Sequence, residues 1–404
     1  MRRTGSTRRG GRTGRLVTAA LAAAVVCGAV LTAPAAEARP AGEAGADRTG
    51  TVDRAAAGRA GENRTEPGRA GARRAGPGRG EPRWVVRDTG APQVRFRGLA
   101  AVDGRTAWLA GTGGTVLRTT DGGASWRNVS PPGAAGLEFR DVSASGARRA
   151  VVLAVGEGEA SRVYRTDDGG TTWTESFRNT DPAAFYDCLA FFDHRHGLAV
   201  SDPVDGRFRL LSTADGGRSW RVLPAAGMPP ALDGEAAFAA SGGCLVTAGP
   251  RDVWLATGGG ARARVLHSAD RGLTWTAADT PVPAGDPARG VFALAFRDRA
   301  HGLAVGGDYR AGRPSPRAAA VTADGGRTWR PAAAPPPAYR SGAAWLPHSR
   351  TTALAVGPTG TDLTTDGGRT WRTVDTGSYD TVACAPDLSC WAAGEQGRAA
   401  SLER

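Results

Sequence analysis

Three carboxylates stand out in a chain otherwise rich in alanine and glycine: Asp187 in "AFYDCLAFF", Asp202 in "GLAVSDPVDGRF" and Glu235 in "ALDGEAAFAASG". Two carboxyl groups held about 5–10 Å apart on either side of a sugar would permit glycoside hydrolysis, one acting as acid and the other as base or nucleophile. Spacing along a chain does not supply that distance, so Asp187, Asp202 and Glu235 are catalytic candidates without assigned roles. The same carboxylates on a shaped loop face would also suit binding of a sugar or a peptide end without catalysis. All 51 basic residues of the chain are arginine. Nucleophile and phosphate motifs are missing: no G-x-S-x-G or G-x-G-x-x-G sits in a strand–helix setting. Of the five histidines, His194, His196 and His301 fall in turns without paired ligands, so no metal and no cofactor is expected.

What must position these residues is a repeat. "TTDGGASW" (119–126) returns as TDDGGTTW (166–173), TADGGRSW (213–220), SADRGLTW (268–275), TADGGRTW (322–329) and TTDGGRTW (364–371). All six fit [ST]-x-D-x-G-x-[ST]-W, the pattern of the Asp-box or BNR repeat, with tryptophans 47, 47, 55, 54 and 42 residues apart. That period is blade-sized for a β-propeller. Each motif is readable as a turn. Asp121, Asp168, Asp215, Asp270, Asp324 and Asp366 accept hydrogen bonds from the backbone just ahead. Glycine supplies positive φ. Trp126, Trp173, Trp220, Trp275, Trp329 and Trp371 start the outer strand and pack between strands. The boxes are therefore six structural staples rather than six active sites.

Every unit also carries an alternating inner strand and an apolar second strand: "AWLAG", "VVLAVG", "GLAVSD", "VWLATG", "GLAVGG", "ALAVG" and "CWAAGE". The seventh has no box after it. "RWVVRDT" (83–89) lies unpaired before the first unit and aligns with the outer strands. The expected fold is an all-β, seven-bladed propeller over 84–404, its ring closed by the N-terminal strand so that no sheet edge is left open; six blades is the alternative.

In such a ring the box turns share one face, and the loops preceding inner strands and following second strands share the other. Arg97, Arg140, Asp187, Arg340 and Asp380 align at the start of inner strands, with Tyr186, Tyr379 and Glu235 close by. The loops after second strands add Glu157, Ser201, Asp202, Asp205, Arg264, Asp308, Tyr309 and Glu395. The insert "GMPPALDGEAAFAASGGC" (227–244) and the enlarged loops of units three and five are expected to project onto this same face. Cys384 and Cys390 flank one hairpin and are expected to bridge. Cys188 and Cys244 occupy equivalent inner-strand positions of neighbouring units and can also meet.

The N-terminus reads as an export signal. A basic stretch, "MRRTGSTRRGGRTGR", precedes the apolar "LVTAALAAAVVCGAVLTA", with small-residue cleavage sites ending at Ala38. Twin-arginine export at Arg8-Arg9 and lipid attachment at Cys27 are minority alternatives. Residues 39–83 contain no apolar side chain larger than valine and form a tether unable to bury a core. The net charge of +12 is concentrated here: residues 1–83 hold 16 arginines against 7 acids, and the rest 35 against 32. A nucleic-acid partner is therefore not expected, nor is a membrane span after cleavage, and the mature chain reads as a secreted monomer.

The boxes together with "GLAVSDPVDGRF", "GEAAFAASG" and "GLAVGGDY" resemble the bacterial branch of the photosystem II stability and assembly factor-like propellers, a family of WD40/YVTN-like repeat architecture. The resemblance covers essentially all of 84–404. It implies an assembly scaffold with an arginine-rich patch, which Arg97, Arg140 and Arg340 could echo. Some bacterial relatives are labelled oxidoreductases, but no redox-cofactor motif is present. The leading expectation is thus an exported, non-catalytic binding scaffold presenting one loop face to a protein or glycan. The alternative is a glycoside hydrolase or sialidase-like enzyme. Against it, "VRFRGLA" lacks the Arg-Ile-Pro element, sialidase propellers have six blades, and xyloglucan hydrolases of this type pair two seven-bladed domains.

Overall fold

The computed structural model describes residues 82–310 and 314–403. The expected export signal and all but the last two residues of the tether lie outside them. Among the described residues the regular structure is strand, apart from single 3-10 turns at Gly158–Ala160 and Ala225–Gly227.

Seven four-stranded antiparallel sheets form, six of them from consecutive strands. Blade 1 runs Phe96–Ala101, Ala107–Gly111, Thr115–Thr119 and Arg127–Asn128 from the inside outward, and blades 2 to 6 repeat that order. The seventh takes Thr381–Cys384, Cys390–Ala393 and Ala399–Glu403 from the C-terminus and its outer strand, Arg83–Arg87, from the N-terminus. The ring is therefore closed as the unpaired N-terminal strand predicts, with seven blades and not six. Arg83, assigned by composition to the tether, opens this strand opposite Glu403. Trp84 locks the seam: its indole N–H donates to Thr361 Oγ1 on blade 6 at 2.9 Å, and its ring lies 5.6 Å from that of Tyr379.

Burial explains the strand grammar. Second strands such as Ala107–Gly111, Ala150–Val155 and Ala353–Gly357 are buried along their whole length, because a neighbouring blade covers each face. They read as continuous apolar runs for that reason. Outer strands meet water and shrink to two exposed residues in blades 1, 3 and 5, which blunts the edge.

The six box turns share one hydrogen-bond scheme. In the first, Asp121 Oδ1 accepts from the Ser125 N–H at 3.0 Å and Oδ2 from the Ser125 hydroxyl at 2.5 Å. Thr119 Oγ1 donates to Asp121 and accepts from the Gly123 N–H. These bonds hold the Asp121 carboxyl down at about 2, against the effect of desolvation. Gly123 takes φ +81°, and a Cβ there would stand 2.9 Å from Arg87 of the preceding blade. The tryptophans likewise reach back or inward. Trp126 packs edge-on against Trp391, Trp173 against Trp108, and Trp220 and Trp329 against Phe191 and Phe296. The turns thus staple blades, and each tryptophan sits one residue before its outer strand rather than within it.

Both expected disulfides are present, Cys188–Cys244 between blades 3 and 4 and Cys384–Cys390 across the blade 7 hairpin.

Candidate functional site

Inner strands of a propeller crowd around the axis, and in four blades the crowding is relieved by a bulge. The register shifts between Phe96 and Gly98, Phe139 and Asp141, Tyr186 and Cys188, and Val291 and Ala293. The residues left out of the ladder are Arg97, Arg140, Asp187 and Phe292. A bulged residue is released from pairing and its side chain is re-aimed. Three of the four bear charge or a carboxyl group, and these are the residues that alignment of the units placed at the channel.

Arg97 and Arg140 converge on one carboxylate. Glu138 Oε1 accepts from Arg140 Nε at 2.8 Å and from Arg97 Nη1 at 3.2 Å. Arg95 grips Asp380 with two hydrogen bonds of 2.6 Å. Three guanidinium groups therefore meet two carboxylates. The imbalance registers on Arg97, whose pKa is lowered to about 10 by burial and by the neighbouring Arg140 and Arg95. The side chains of Arg97 and Arg140 remain 18% and 16% accessible, and Glu138 and Arg95 more so, so the cluster opens to solvent.

Below this cluster the channel is not open. The blade 4 insert, expected on the loop face, runs into the axis instead. Arg140 Nη1 donates to Ala239 O of blade 4 at 3.4 Å, and the Ala237 N–H donates to Asp202 Oδ1 of blade 3 at 2.8 Å. Ser241 Oγ donates to Ser341 O of blade 6 at 2.6 Å, while Thr381 Oγ1 of blade 7 donates to Ser241 O. The Leu294 N–H of blade 5 donates to Gly243 O, and Phe238 stacks on Phe292 at 4.0 Å. Only a segment on the axis can touch blades 2, 3, 5, 6 and 7 at once. Gly242 allows the approach: at φ +73°, its missing Cβ would fall 2.6 Å from the Asp141 carboxyl. The channel is thus a cup with a backbone floor.

Three carboxyl groups stand in the wall around that floor, Asp141 and Asp187 buried and Asp202 half-buried. Asp187 is 2% exposed and its Oδ2 has no hydrogen-bond partner. Burial and the adjacent Asp202 raise its pKa well above the carboxylate range, with Arg140 opposing. Burial pushes Asp202 up to about 7. Asp141, on the inner strand of blade 2, accepts from the Leu189 N–H of blade 3 at 2.8 Å, and burial raises it to about 7. Asp187 and Asp202 are neighbours, as the hydrolase expectation requires, Asp187 buried and Asp202 half-buried.

The other sequence candidates go elsewhere. Glu235 is closed off by Arg264, with contacts of 2.8 and 2.5 Å, and by the Thr257 hydroxyl and the Leu232 N–H. Its side chain is 0% exposed, so it is a structural anchor of the insert and not an acid or base facing substrate. Arg340 does not join Arg97 and Arg140. It is 1% exposed and donates to Asp362 Oδ2 at 2.6 Å inside blade 6. Tyr186 packs against Phe177, and Tyr379 against Trp84; both are buried, which pushes each hydroxyl up to about 12. Ser201 is consumed by the Phe185 N–H and Asp202 O. Asp205 is exposed in a turn at φ 53°, and Asp308 is held by Arg289 and Arg310, next to a half-buried Tyr309.

Sequence reasoning missed Arg95, Glu138 and Asp141. Arg95 and Glu138 each lie two residues before a candidate arginine, in "RFR" and "EFR", the spacing at which a strand returns a side chain to the same side. Asp141 gave no such signal, being one more polar residue in an alternating strand.

No family model matches the sequence, and no curated protein matches it significantly. Solved structures do. One described as YCF48 from Cyanidioschyzon merolae is 16% identical, covering 79% of this chain and 98% of its own, with a TM-score of 0.57. A second, described as YCF48 bound to D1 peptide, is 14% identical over 79% of this chain and 94% of its own, at 0.53. A third, of U3-55K, is 12% identical over 79% and 98%, at 0.54. The likeness is one of fold. Since 855 chains match in this way, it singles out the ring and no one activity.

Proposed function

We propose that this chain is a non-catalytic binding propeller whose cup takes an acidic segment of a partner protein. The observation that carries the reading is the excess of guanidinium over carboxylate at Arg95, Arg97 and Arg140, open on one side and floored by the insert. A bound carboxylate would relieve the like-charge crowding on Arg97 and could be gripped through two parallel N–H donors. The YCF48 structure with a D1 peptide supports a protein partner over a glycan as the first ligand class to test. Hydrolysis is the less favoured reading, because Glu235 is sealed by Arg264 and Asp187 is 2% exposed. Two disulfides support a working place outside the reducing cytoplasm, in keeping with the expected export signal. Among the described residues no helix is long and apolar enough to cross a membrane. The resemblance to assembly factors and the monomeric state belong to the same proposal.

The test is a fluorescence-anisotropy titration with labelled acidic and neutral peptides of equal length. The acidic set should bind, weaken as salt is raised, and weaken at least tenfold in Arg97→Ala and Arg140→Ala. Binding that is indifferent to charge, or unchanged in both variants, would overturn the reading.

A further inference from the structure

The near balance of charge over residues 84–404 hides a segregation between the two faces of the ring. The inner hairpin turns, and the boxes with one residue on either side, lie opposite the cup and carry 18 arginines against 11 aspartates, or 12 with Asp252 at the start of the next strand. The remainder holds 17 arginines against 20 acids. The arginines on the box face are placed by a repeated device. The carbonyl of Arg105 accepts from the Gly122 N–H of its own box, that of Arg148 from Gly169, that of Arg195 from Gly216 and that of Arg251 from Arg271, at 2.7 to 3.0 Å. Four consecutive blades therefore hold an arginine at one equivalent position, which Ala300 and Thr351 take in blades 5 and 6. In the first three the side chain folds over its box, with Nε donating to the carbonyl of Thr120, Asp167 or Ala214 at 3.3 to 3.5 Å. That leaves the terminal nitrogens without a partner among the described residues.

Among the described residues none of these four arginines ion-pairs with a carboxylate, nor do Arg327, Arg350 and Arg369 of blades 5 and 6, and all seven are exposed. The rim of the cup face is different: Arg162, Arg178, Arg209, Arg262, Arg289 and Arg310 each hold a carboxylate. Exposure alone therefore does not leave an arginine unpaired in this chain. The box aspartates cannot serve, because each is spent on its own turn, as Asp324 is on Thr328 and Asp366 on Thr370. The same face also shows apolar side chains. Of the four large hydrophobic residues exposed among those described, Leu273 (54%) stands in the box turn of blade 4 and Leu388 (46%) in the inner hairpin turn of blade 7. Leu388 takes φ 78°, a left-handed conformation that leucine adopts at a cost, in a turn closed by its N–H donating to Ala385 O.

We infer that the face carrying the box turns docks on an anionic lipid surface, its arginines on the phosphates and Leu273 and Leu388 in the apolar layer beneath them. Unpaired guanidinium groups spread over six blades call for anions over the whole face, and phosphate suits their fork. A fluid lipid surface brings a phosphate to each arginine wherever it stands, whereas an acidic protein would have to match every position with a carboxylate. The leucines decide among the remaining polyanions. A soluble polyphosphate offers them nothing, while a side chain at a turn tip reaches below the headgroups of a bilayer. The seven unpaired arginines and two leucines together draw on all seven blades, which fits a partner that is flat and wider than a cleft. The cup opens on the other side of the ring, so the inference does not rest on what the cup binds.

The experiment is co-sedimentation of the full chain with phosphatidylcholine vesicles, with and without phosphatidylglycerol, and soluble polyphosphate as the lipid-free polyanion. Wild type is run beside a triple variant, Arg105→Ala with Arg148→Ala and Arg195→Ala, and a double variant, Leu273→Ser with Leu388→Asn. All five changes are exposed, and thermal unfolding checks that each protein is folded. Any attraction of the arginine-rich N-terminal segment to the vesicles is common to the three proteins and drops out of the comparison. The expected result is binding that needs phosphatidylglycerol and weakens as salt is raised. It should fall about a hundredfold in the triple variant, at about fivefold per arginine, and about tenfold in the double variant, whose charge is unchanged. Hydrogen exchange on the vesicle-bound chain should protect the box turns 119–126 and 213–220, and Arg97→Ala should bind as wild type does. A triple or double variant that binds as wild type, protection confined to the cup loops, or polyphosphate bound as tightly as the vesicles would each overturn the proposal.

Discussion

Asp141 offers the sharpest test of how the cup is held together. Its carboxyl is 6% exposed, pressed against the backbone of Gly242, and raised from 3.8 to about 7 by burial. A carboxyl whose pKa is higher in the folded state favours folding while it stays protonated. That contribution is complete below pH 4, and it is lost as pH rises from there through about 7. A rise of about three pH units at about 1.36 kcal/mol each sets the loss at about 4 kcal/mol, an upper bound on the effect. Asp141→Asn keeps an acceptor for the Leu189 N–H but cannot ionise. The difference in stability between variant and wild type should therefore change by up to about 4 kcal/mol, in favour of the variant, between pH 4 and pH 8. For roughly 320 folded residues, with an unfolding entropy of about 2.1 cal/mol/K each, that is about 6 °C in midpoint. Thermal unfolding at half-unit pH steps, disulfides intact, reads it directly, and any fixed cost of the amide cancels in the comparison. A gap that stays constant across the range would refute the claim that Asp141 is buried as the neutral acid. The wild type should itself be most stable on the acid side of neutral. Asp187 and Asp202 add to the loss at higher pH, while box aspartates held near 2, such as Asp121 and Asp168, lose their contribution only as pH falls below 4.

Three further outcomes follow from particular contacts. Trp84→Ala removes the indole that seals the ring seam against Thr361 and Tyr379, and should cost about 3–5 kcal/mol and promote aggregation through the loosened edge; a midpoint within 1 °C of wild type by calorimetry would contradict that role. Glu235→Ala should destabilise by about 3–5 kcal/mol by stranding the buried Arg264 charge, whereas Glu235→Leu combined with Arg264→Met should recover most of it, as urea unfolding would measure. Replacing Cys188 and Cys244 by alanine opens a loop of sequence separation 56 and should cost about 4 kcal/mol; the same change at Cys384 and Cys390, separation 6, should cost about 2, and equal losses would argue against chain entropy as the source.

Much of this architecture was legible in the residues because its determinants are local. The box turns need only a hydroxyl, an aspartate, glycine and a second hydroxyl within seven residues, and Asp121 meets Ser125 four positions on. Blade count follows from repeating that device, and ring closure from a strand left over at one end and a sheet short of a strand at the other. Even the bulged positions Arg97, Arg140 and Asp187 could be aligned, since equivalent strands bulge at equivalent places.

The partners of those charges were another matter. Arg95 finds Asp380 across 285 residues, and Arg264 finds Glu235 across 29, so which carboxylates stay free is decided only when blades close against one another. The same holds for the insert: its composition, rich in alanine and glycine, suits a surface loop as well as a backbone laid down the axis. The sequence by itself determined the ring, its staples and the strand positions that face the channel, because turn chemistry and strand period act over a few residues. Only the tertiary structure decided that the channel is floored, that Glu235 and Arg340 are each paired one to one in the protein interior, and that Arg97 and Arg140 share a single carboxylate, Glu138. Those outcomes depend on distances between segments that no local pattern encodes.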